Sequence, residues 1–293
     1  MNINNKLTTK PTIIANAFNT YFSLVADNLI TKSFFEKNTS NEKDPLKYLG
    51  QNFTQSSPPL RLKNTTTHEV SKIIQSLKCK DSYGYDEVST TILKISAPYI
   101  LSPLTYIFNK TLATGIFPDR LKFSEVKPLL KKGASTEFSN YRPISLLTSF
   151  SKIIEKIIYI RLYRHLNVNN ILVNEQFGFR EKSSIEMATH YLLNTVLSSL
   201  DKKKFVGGLF CDLKKAFDCV NHNILLAKLE FYGISGTANK LMKSYLNNQY
   251  QRTVIKDNMS NKLSSEWELV KHGVPQDSIL GPLLFLIYIN DLS

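Results

Sequence analysis

The sequence predicts an α+β protein, on three observations. Apolar residues recur at helical spacing in several long segments, and shorter runs rich in β-branched and aromatic residues stand between them. The two kinds of segment do not alternate with the regularity of a parallel, doubly wound sheet. The 293 residues are 42% hydrophobic and 21% charged, which supports a sizeable core and excludes wholesale disorder.

The elements follow in order. Ile14, Phe18, Tyr21, Phe22, Val25 and Leu29 share one helical face and predict a helix over 12–30. The polar run Asn38-Thr39-Ser40-Asn41-Glu42, then Ser56-Ser57-Pro58-Pro59, reads as a linker. Thr66-x-x-Glu69 is a capping box for a helix with the face Val70, Ile73, Ile74 and Leu77, so the chain divides into 1–65 (helix and linker) and 66–293 (main domain). Beyond a turn at Asp81-Ser82-Tyr83-Gly84-Tyr85-Asp86, helices are expected at 89–93 and 100–114. Residues 123–147 read as strand, turn, strand, interrupted at Lys131-Lys132-Gly133. Ile154, Ile157, Ile158 and Leu162 predict a helix over 151–165. A strand at 204–212, a helix at 223–231 stopped by Gly233, a strand at 252–256 and a helix at 278–289 complete the pattern, with no internal repeat.

Lys and Arg number 37 against 24 Asp and Glu, a net charge of +13, which suits a polyanionic partner. The 17 Phe, 14 Tyr and one Trp suit base stacking as well as packing. Cys79, Cys211 and Cys219 stand at no metal spacing, which predicts a reducing compartment and neither a disulfide scaffold nor a zinc site. The start lacks the apolar region of a signal peptide, and the longest apolar run, 279–289, is broken by Gly281 and Pro282 and falls short of the roughly 18 residues that cross a bilayer. The expectation is an intracellular protein without membrane association, in the nucleus or the cytoplasm.

Three segments carry chemistry, and each has a plainer alternative. In a strand over 204–212, Val206, Gly208, Phe210 and Asp212 share a face; a carboxylate at the strand tip suits a hard cation, though it would equally cap a following helix. Around Gly273 and Pro275 a tight loop feeds the helix near Ser278, whose free N–H groups could cradle phosphate or could simply precede a buried helix. A hairpin presenting Lys131, Lys132 and Arg142 could clamp a triphosphate or be a solvated charge cluster. His68, His165, His190, His222 and His272 are scattered and form no site, and Lys202-Lys203-Lys204 reads as a solvated turn.

Taken together, NYRPISLLTSFSKIIEKII, EQFGFR, FCDLKKAFDCVNHNILLAKLEFYGI and KHGVPQDSILGPLLFLIYIND, in that order, resemble the reverse transcriptase domain of non-LTR (LINE-type) retrotransposons from about Lys78 onward. The segment 14–30 resembles the linker between endonuclease and polymerase in such polyproteins, without the endonuclease. The resemblance implies a right-hand fold of fingers and palm, and RNA-directed DNA synthesis from an RNA template, a DNA primer and dNTPs with two Mg²⁺ (or Mn²⁺) ions. It assigns Asp212 as a catalytic, metal-binding aspartate and Leu213 as a backbone-carbonyl contact to the nucleotide. Phe217 becomes the ring that excludes a 2′-OH, and Lys131, Lys132 and Arg142 become phosphate contacts. Gln276 and Ser278 would line the nucleotide pocket, and Arg180 would face the template. Asp218 is expected to be structural, at the start of the next helix.

Two departures qualify the resemblance. Its second catalytic segment, an aromatic-x-Asp-Asp hairpin, would follow the last helix, whereas the 293 residues stop at Ser293, so the palm sheet is expected to be incomplete and these residues alone inactive. Tyr288-Ile289-Asn290-Asp291 has Asn where the first Asp belongs and falls at a helix end, unsuited to a hairpin. The alternative to a polymerase domain is a non-catalytic, nucleic-acid-binding remnant of a retroelement. Asp277 stands where the family has Gly, adding bulk and a charge that repels phosphate.

Overall fold

The computed structural model describes residues 1–3, 6–35, 49–52, 57–79, 82–257 and 259–292. Of the expected linker, 38–42 and Ser56 lie outside the described residues, as does Asp81 of the expected turn. Short strands β1 (Asn2–Ile3) and β2 (Lys6–Leu7) pair antiparallel ahead of helix α1 (Pro11–Phe35). Helices α2 (Leu49–Asn52), α3 (Thr67–Ser76) and α4 (Thr90–Thr114) lead into the hairpin β3 (Phe123–Leu130) and β4 (Tyr141–Leu147). Then come α5 (Ser149–Val168), α6 (Ile185–Asp201), α7 (His222–Phe231) and α8 (Gly236–Leu246). Strands β5 (Gln249–Lys256), β6 (Lys262–Ser264) and β7 (Glu268–Val270) precede the last helix, α9 (Gly281–Ile289).

The helices gather around α5. Its Ile153, Ile154, Ile157, Ile158, Leu162 and Leu166 are buried among Ile74 of α3, Leu93 and Phe108 of α4, Leu225 of α7, Leu241 of α8 and Leu283 of α9. Thr66 caps α3 by accepting the Glu69 N–H at 3.2 Å. The other half of the expected box is diverted, because the Glu69 carboxylate takes the Thr65 hydroxyl at 2.8 Å and the Arg161 guanidinium of α5. That exchange ties α3 to the core helix, and the charge-assisted bond to Arg161 holds Glu69 below the usual carboxylate range.

The two helices expected over 89–114 are one, a correction with a clear physical cause. Pro98 and Pro103 each remove a backbone donor and crowd the preceding turn. Leu93, Ala97, Leu104, Phe108 and Leu112 nevertheless bury one continuous face, and that burial outweighs the two local losses. Ser89 caps the start, and Gly115, at φ +67°, stops the helix in the left-handed region.

The main sheet runs β4-β3-β5, with β6 and β7 sharing the outer edge of β5. β3 and β4 are antiparallel with Leu129 opposite Arg142, so the Lys131-Lys132-Gly133 segment lies beyond the strand ends as expected. β3 and β5 are parallel, placing Glu125 opposite Arg252. The Glu125 carboxylate, 1% exposed, accepts from Arg252 Nε at 3.1 Å and Lys262 Nζ at 2.8 Å. Helix α1 lies across β5, β6 and β7. Asn19 donates to the Glu266 carbonyl at 2.9 Å and Ser23 to the Glu268 carboxylate at 2.6 Å. Phe18 and Phe22 of α1 make a second small core with Val126, edged by Tyr21, Phe138 and Tyr141. The N-terminal helix therefore covers the sheet on which the basic hairpin is built.

The expected strand at 204–212 is not formed. The segment is exposed, and among the described residues it pairs with no strand. A strand persists only where a neighbouring strand takes its N–H and C=O groups, and no described strand lies in register with this segment. Gly207 has open space around it and Phe205 is wholly exposed, so side-chain packing offers no substitute. Helix α6, which precedes it, likewise buries none of its residues.

Candidate nucleotide and template site

Two parts of the fold meet at the loop over 271–278. The turn at 214–219 follows Asp212, and the loop is clipped to it by backbone bonds. Gly273 N–H donates to the Val220 carbonyl at 2.9 Å and Val274 N–H to the Phe217 carbonyl at 3.0 Å. Gly273 sits at φ +83°, and a Cβ there would lie 2.8 Å from the carbonyl oxygens of Phe217 and Asp218, so only glycine allows this approach. On its other side the loop meets β4, where Ser145 N–H donates to the Gln276 carbonyl at 3.3 Å.

Asp218 does not begin the next helix, which corrects one expectation. α7 starts at His222, and Asn221 caps it by accepting the Asn223 N–H at 2.9 Å. Asp218 lies earlier, in the turn, where Oδ1 accepts from Gln276 Nε2 at 2.8 Å. Its Oδ2 is buried and has no hydrogen-bond partner among the described residues. Burial raises the carboxyl above its ordinary range, against the opposing pull of the Gln276 bond and the Lys215 charge. A cavity of about 50 Å³, enough for a water or two, adjoins it between Phe22, Ser124, Ser145, His222 and Gln276. His222 Nε2 donates to the Gly273 carbonyl at 2.7 Å, and burial lowers its pKa.

The remaining site residues fall into five groups. Phe217 stacks on Phe285 at 4.8 Å and meets Phe179 edge-on at 5.5 Å, which brings the EQFGFR segment against the turn. Ser278 is buried; its hydroxyl donates to the Pro275 carbonyl at 2.8 Å and accepts the Gly281 N–H at 2.9 Å, shaping the entry to α9. Lys131, Lys132 and Arg142 are exposed together at the tip of the β3–β4 hairpin. Arg180 donates to the Val173 carbonyl at 2.8 Å beside α5. Asp212 and Leu213 are exposed at the end of the unpaired segment. Among the described residues no group of three or more His, Cys, Asp or Glu side chains could hold a metal ion. Asp212 by itself offers a cation one carboxylate, and two ions need more donors than that.

Glu155 is a residue of this region that sequence reading passed over. Sitting on α5 and fully buried, it accepts the Ile279 N–H at 2.8 Å and the Leu280 N–H at 3.3 Å, and so carries the loop's exit into α9. Burial raises its pKa to about 7 despite those bonds and the hydroxyls of Ser151 and Tyr245. The only signal in the sequence is a Glu amid the isoleucines of a core helix. Asp291, by contrast, is tied to Lys228, which also donates to the Tyr288 carbonyl at 2.6 Å. Asn290 is buried and bonded to Ile171, Val173 and Tyr232. The 288–291 segment thus locks a helix end.

Asp277 occupies φ +69°, the region that favours glycine, and its side chain is exposed. Asp277→Gly is expected to stabilise the fold or leave it unchanged, within about 1 kcal/mol, because relief of the left-handed strain offsets the added freedom of the unfolded chain. Urea denaturation checks this; a loss above about 1 kcal/mol would mean that the carboxylate bonds within the loop.

Comparison with known proteins places the chain. Residues 129–293 match the family described as reverse transcriptase (RNA-dependent DNA polymerase). Over 240 residues, 80% of this chain, it is 32% identical to a probable RNA-directed DNA polymerase from transposon BS of Drosophila melanogaster, covering 25% of that protein. Over 228 residues, 78% of this chain, it is 31% identical to the RNA-directed DNA polymerase from mobile element jockey of Drosophila funebris, covering 24% of it. The probable polymerase from transposon X-element of Drosophila melanogaster is 31% identical over 76% of this chain and 24% of its own length. The chain belongs to the reverse transcriptase family, on the branch of non-LTR retrotransposons. It spans about a quarter of the length of these curated relatives. Among the described residues no helix is long and apolar enough to cross a membrane.

Proposed function

We propose that this chain is the fingers and part of the palm of an RNA-directed DNA polymerase that copies RNA from a DNA primer with dNTPs and divalent cations, Mg²⁺ or Mn²⁺. The observation that supports this most is the junction of β4, the 214–219 turn and the 271–278 loop, at which all four family-like segments converge. In this reading Lys131, Lys132 and Arg142 neutralise the triphosphate from the hairpin. Gln276, held by Asp218 and by the Ser145 N–H, presents the loop to the base pair being formed, and Phe217 bounds the sugar. Leu213 lends its carbonyl to the nucleotide, Ser278 holds the loop in shape, and Arg180 borders the template path. Asp212 contributes a carboxylate to divalent-cation binding, which supplies charge neutralisation at the reacting phosphate.

Binding of a primed RNA template tests the reading. The net charge of +13 and the exposed hairpin cations predict affinity that falls steeply with salt. Arg142→Ala is expected to weaken dNTP retention more than hybrid binding, by about tenfold, the value of one charge-assisted contact. Fluorescence anisotropy with a labelled RNA–DNA hybrid, with and without dNTP, measures both. Failure to bind the hybrid at low salt, or affinity indifferent to salt, would sink the reading.

A further inference from the structure

The outer face of α5 carries residues that the polymerase reading leaves unused. Lys156, Tyr159, Tyr163 and Arg164 follow at spacings of three, four and one, on the side of the helix turned away from Ile154, Ile158 and Leu162. The rings of Tyr159 and Tyr163 lie parallel, 5.4 Å apart with 7° between their planes. Lys156 Nζ sits 4.5 Å from the Tyr159 ring centre. Both hydroxyls are already used: Tyr159 donates to the Glu181 carboxylate at 3.3 Å, and Tyr163 accepts the Glu181 N–H at 3.1 Å. The pair is therefore held in a fixed orientation as a platform of half-exposed rings.

One cleft adjoins this platform, and a second lies beside that cleft along α5. The first, of about 380 Å³, is lined by Lys156, Tyr159, Tyr163, Arg164 and Glu181. The other, of about 560 Å³, is lined by Arg61, Lys63, Glu69, Arg161 and Arg164. They share Ile160, Arg164 and Val168, so they border each other as one grooved face of α5. Its two carboxylates are both committed, Glu69 to Arg161 and Glu181 to Tyr159. Arg61, Lys63, Lys156 and Arg164 are the cations left to face a ligand.

We propose that this groove is a second nucleic-acid site, separate from the hairpin and loop, that holds single-stranded RNA. A stacked aromatic pair beside a row of cations fits a strand whose bases are free to stack while its phosphates meet the charges. A duplex offers phosphates without free base faces, and an acidic peptide offers charge without a planar group for the tyrosines. Only the choice of RNA over single-stranded DNA rests on the polymerase reading.

The test uses the 293-residue chain and a labelled ten-nucleotide oligouridylate, followed by anisotropy from low to moderate salt. The pair Lys63→Glu and Arg164→Glu, both at exposed positions, is expected to weaken binding at least tenfold and to flatten the salt dependence by one to two counterions, at about 0.7 per contact for a single strand. Tyr159→Leu with Tyr163→Leu is expected to weaken binding about tenfold with the salt dependence unchanged, since stacking carries no charge. Lys131→Ala with Arg142→Ala is expected to leave oligouridylate binding intact while lowering dNTP retention. Unaltered oligouridylate affinity in the charge-reversed chain, with its thermal melt matching the parent, would overturn the proposal. So would equal competition by polyglutamate or by oligothymidylate. If the hairpin variants change nothing while the groove variants do, the polymerase reading fails and the groove stands. Should the tyrosine variant not fold, the charge reversal decides alone.

Discussion

Asp212→Asn is expected to abolish RNA-templated primer extension in a chain that continues this domain through an aromatic-x-Asp-Asp segment. Asn preserves the size of the side chain and removes the charge that attracts a divalent cation, a loss of several kcal/mol in transition-state stabilisation and so about a thousandfold or more in rate. Asp212 is exposed at the end of an unpaired segment, so the substitution is expected to leave the melting temperature where it was. Primer extension with Mg²⁺ or Mn²⁺, paired with a thermal melt, separates the two effects; activity that survives the change refutes the role given to Asp212. Phe217→Ala should behave differently. It should admit rNTPs by opening the space near the 2′-OH, and it should also cost about 2 kcal/mol or more of stability, because the ring is packed between Phe285 and Phe179.

Glu155 is expected to make stability fall as pH rises from about 4.5 to about 7. Its folded pKa lies above the unfolded value, so the folded chain holds a proton that the unfolded chain has already released. The contribution is complete below about 4.5, is lost as pH rises through about 7 and is constant beyond, and a shift of that size corresponds to about 3 kcal/mol. Asp218, also raised by burial, acts in the same direction. Glu69, lowered by Arg161, acts oppositely: its stabilisation is present above its ordinary pKa and is lost in more acid solution. Glu155→Gln is expected to flatten the profile between those limits, because the amide oxygen still accepts from Ile279 and Leu280 without a charge to desolvate. Urea midpoints of parent and variant from pH 4.5 to 8 provide the check, and parallel profiles would show that Glu155 does not carry the effect.

Much of the fold was legible because its signals are local. The isoleucine repeat of α5, the Thr66 cap and the hairpin around Lys131-Lys132-Gly133 each arise from residues within a turn or two of one another. Helix α8 carried the same kind of signal, with Ala238, Leu241, Met242 and Tyr245 on one face, and was readable but unread. The four family-like segments marked the residues of the site, but not their arrangement.

What the sequence determined by itself was the α+β class, most of the helices, the basic hairpin and membership of a polymerase family. Tertiary structure alone decided that α4 runs unbroken through two prolines, that α1 lies across the sheet, and that residues 204–212 form no ladder. It also decided that Gln276 meets Asp218 and that Glu155 supports the loop, contacts between residues 58 and more than 120 positions apart. The physical reason is the same in each case. Periodicity reports what a segment can bury or cap within itself, whereas a proline tolerated by burial, a strand lacking a neighbour, and a carboxylate kept from water depend on which distant groups fill the space beside them.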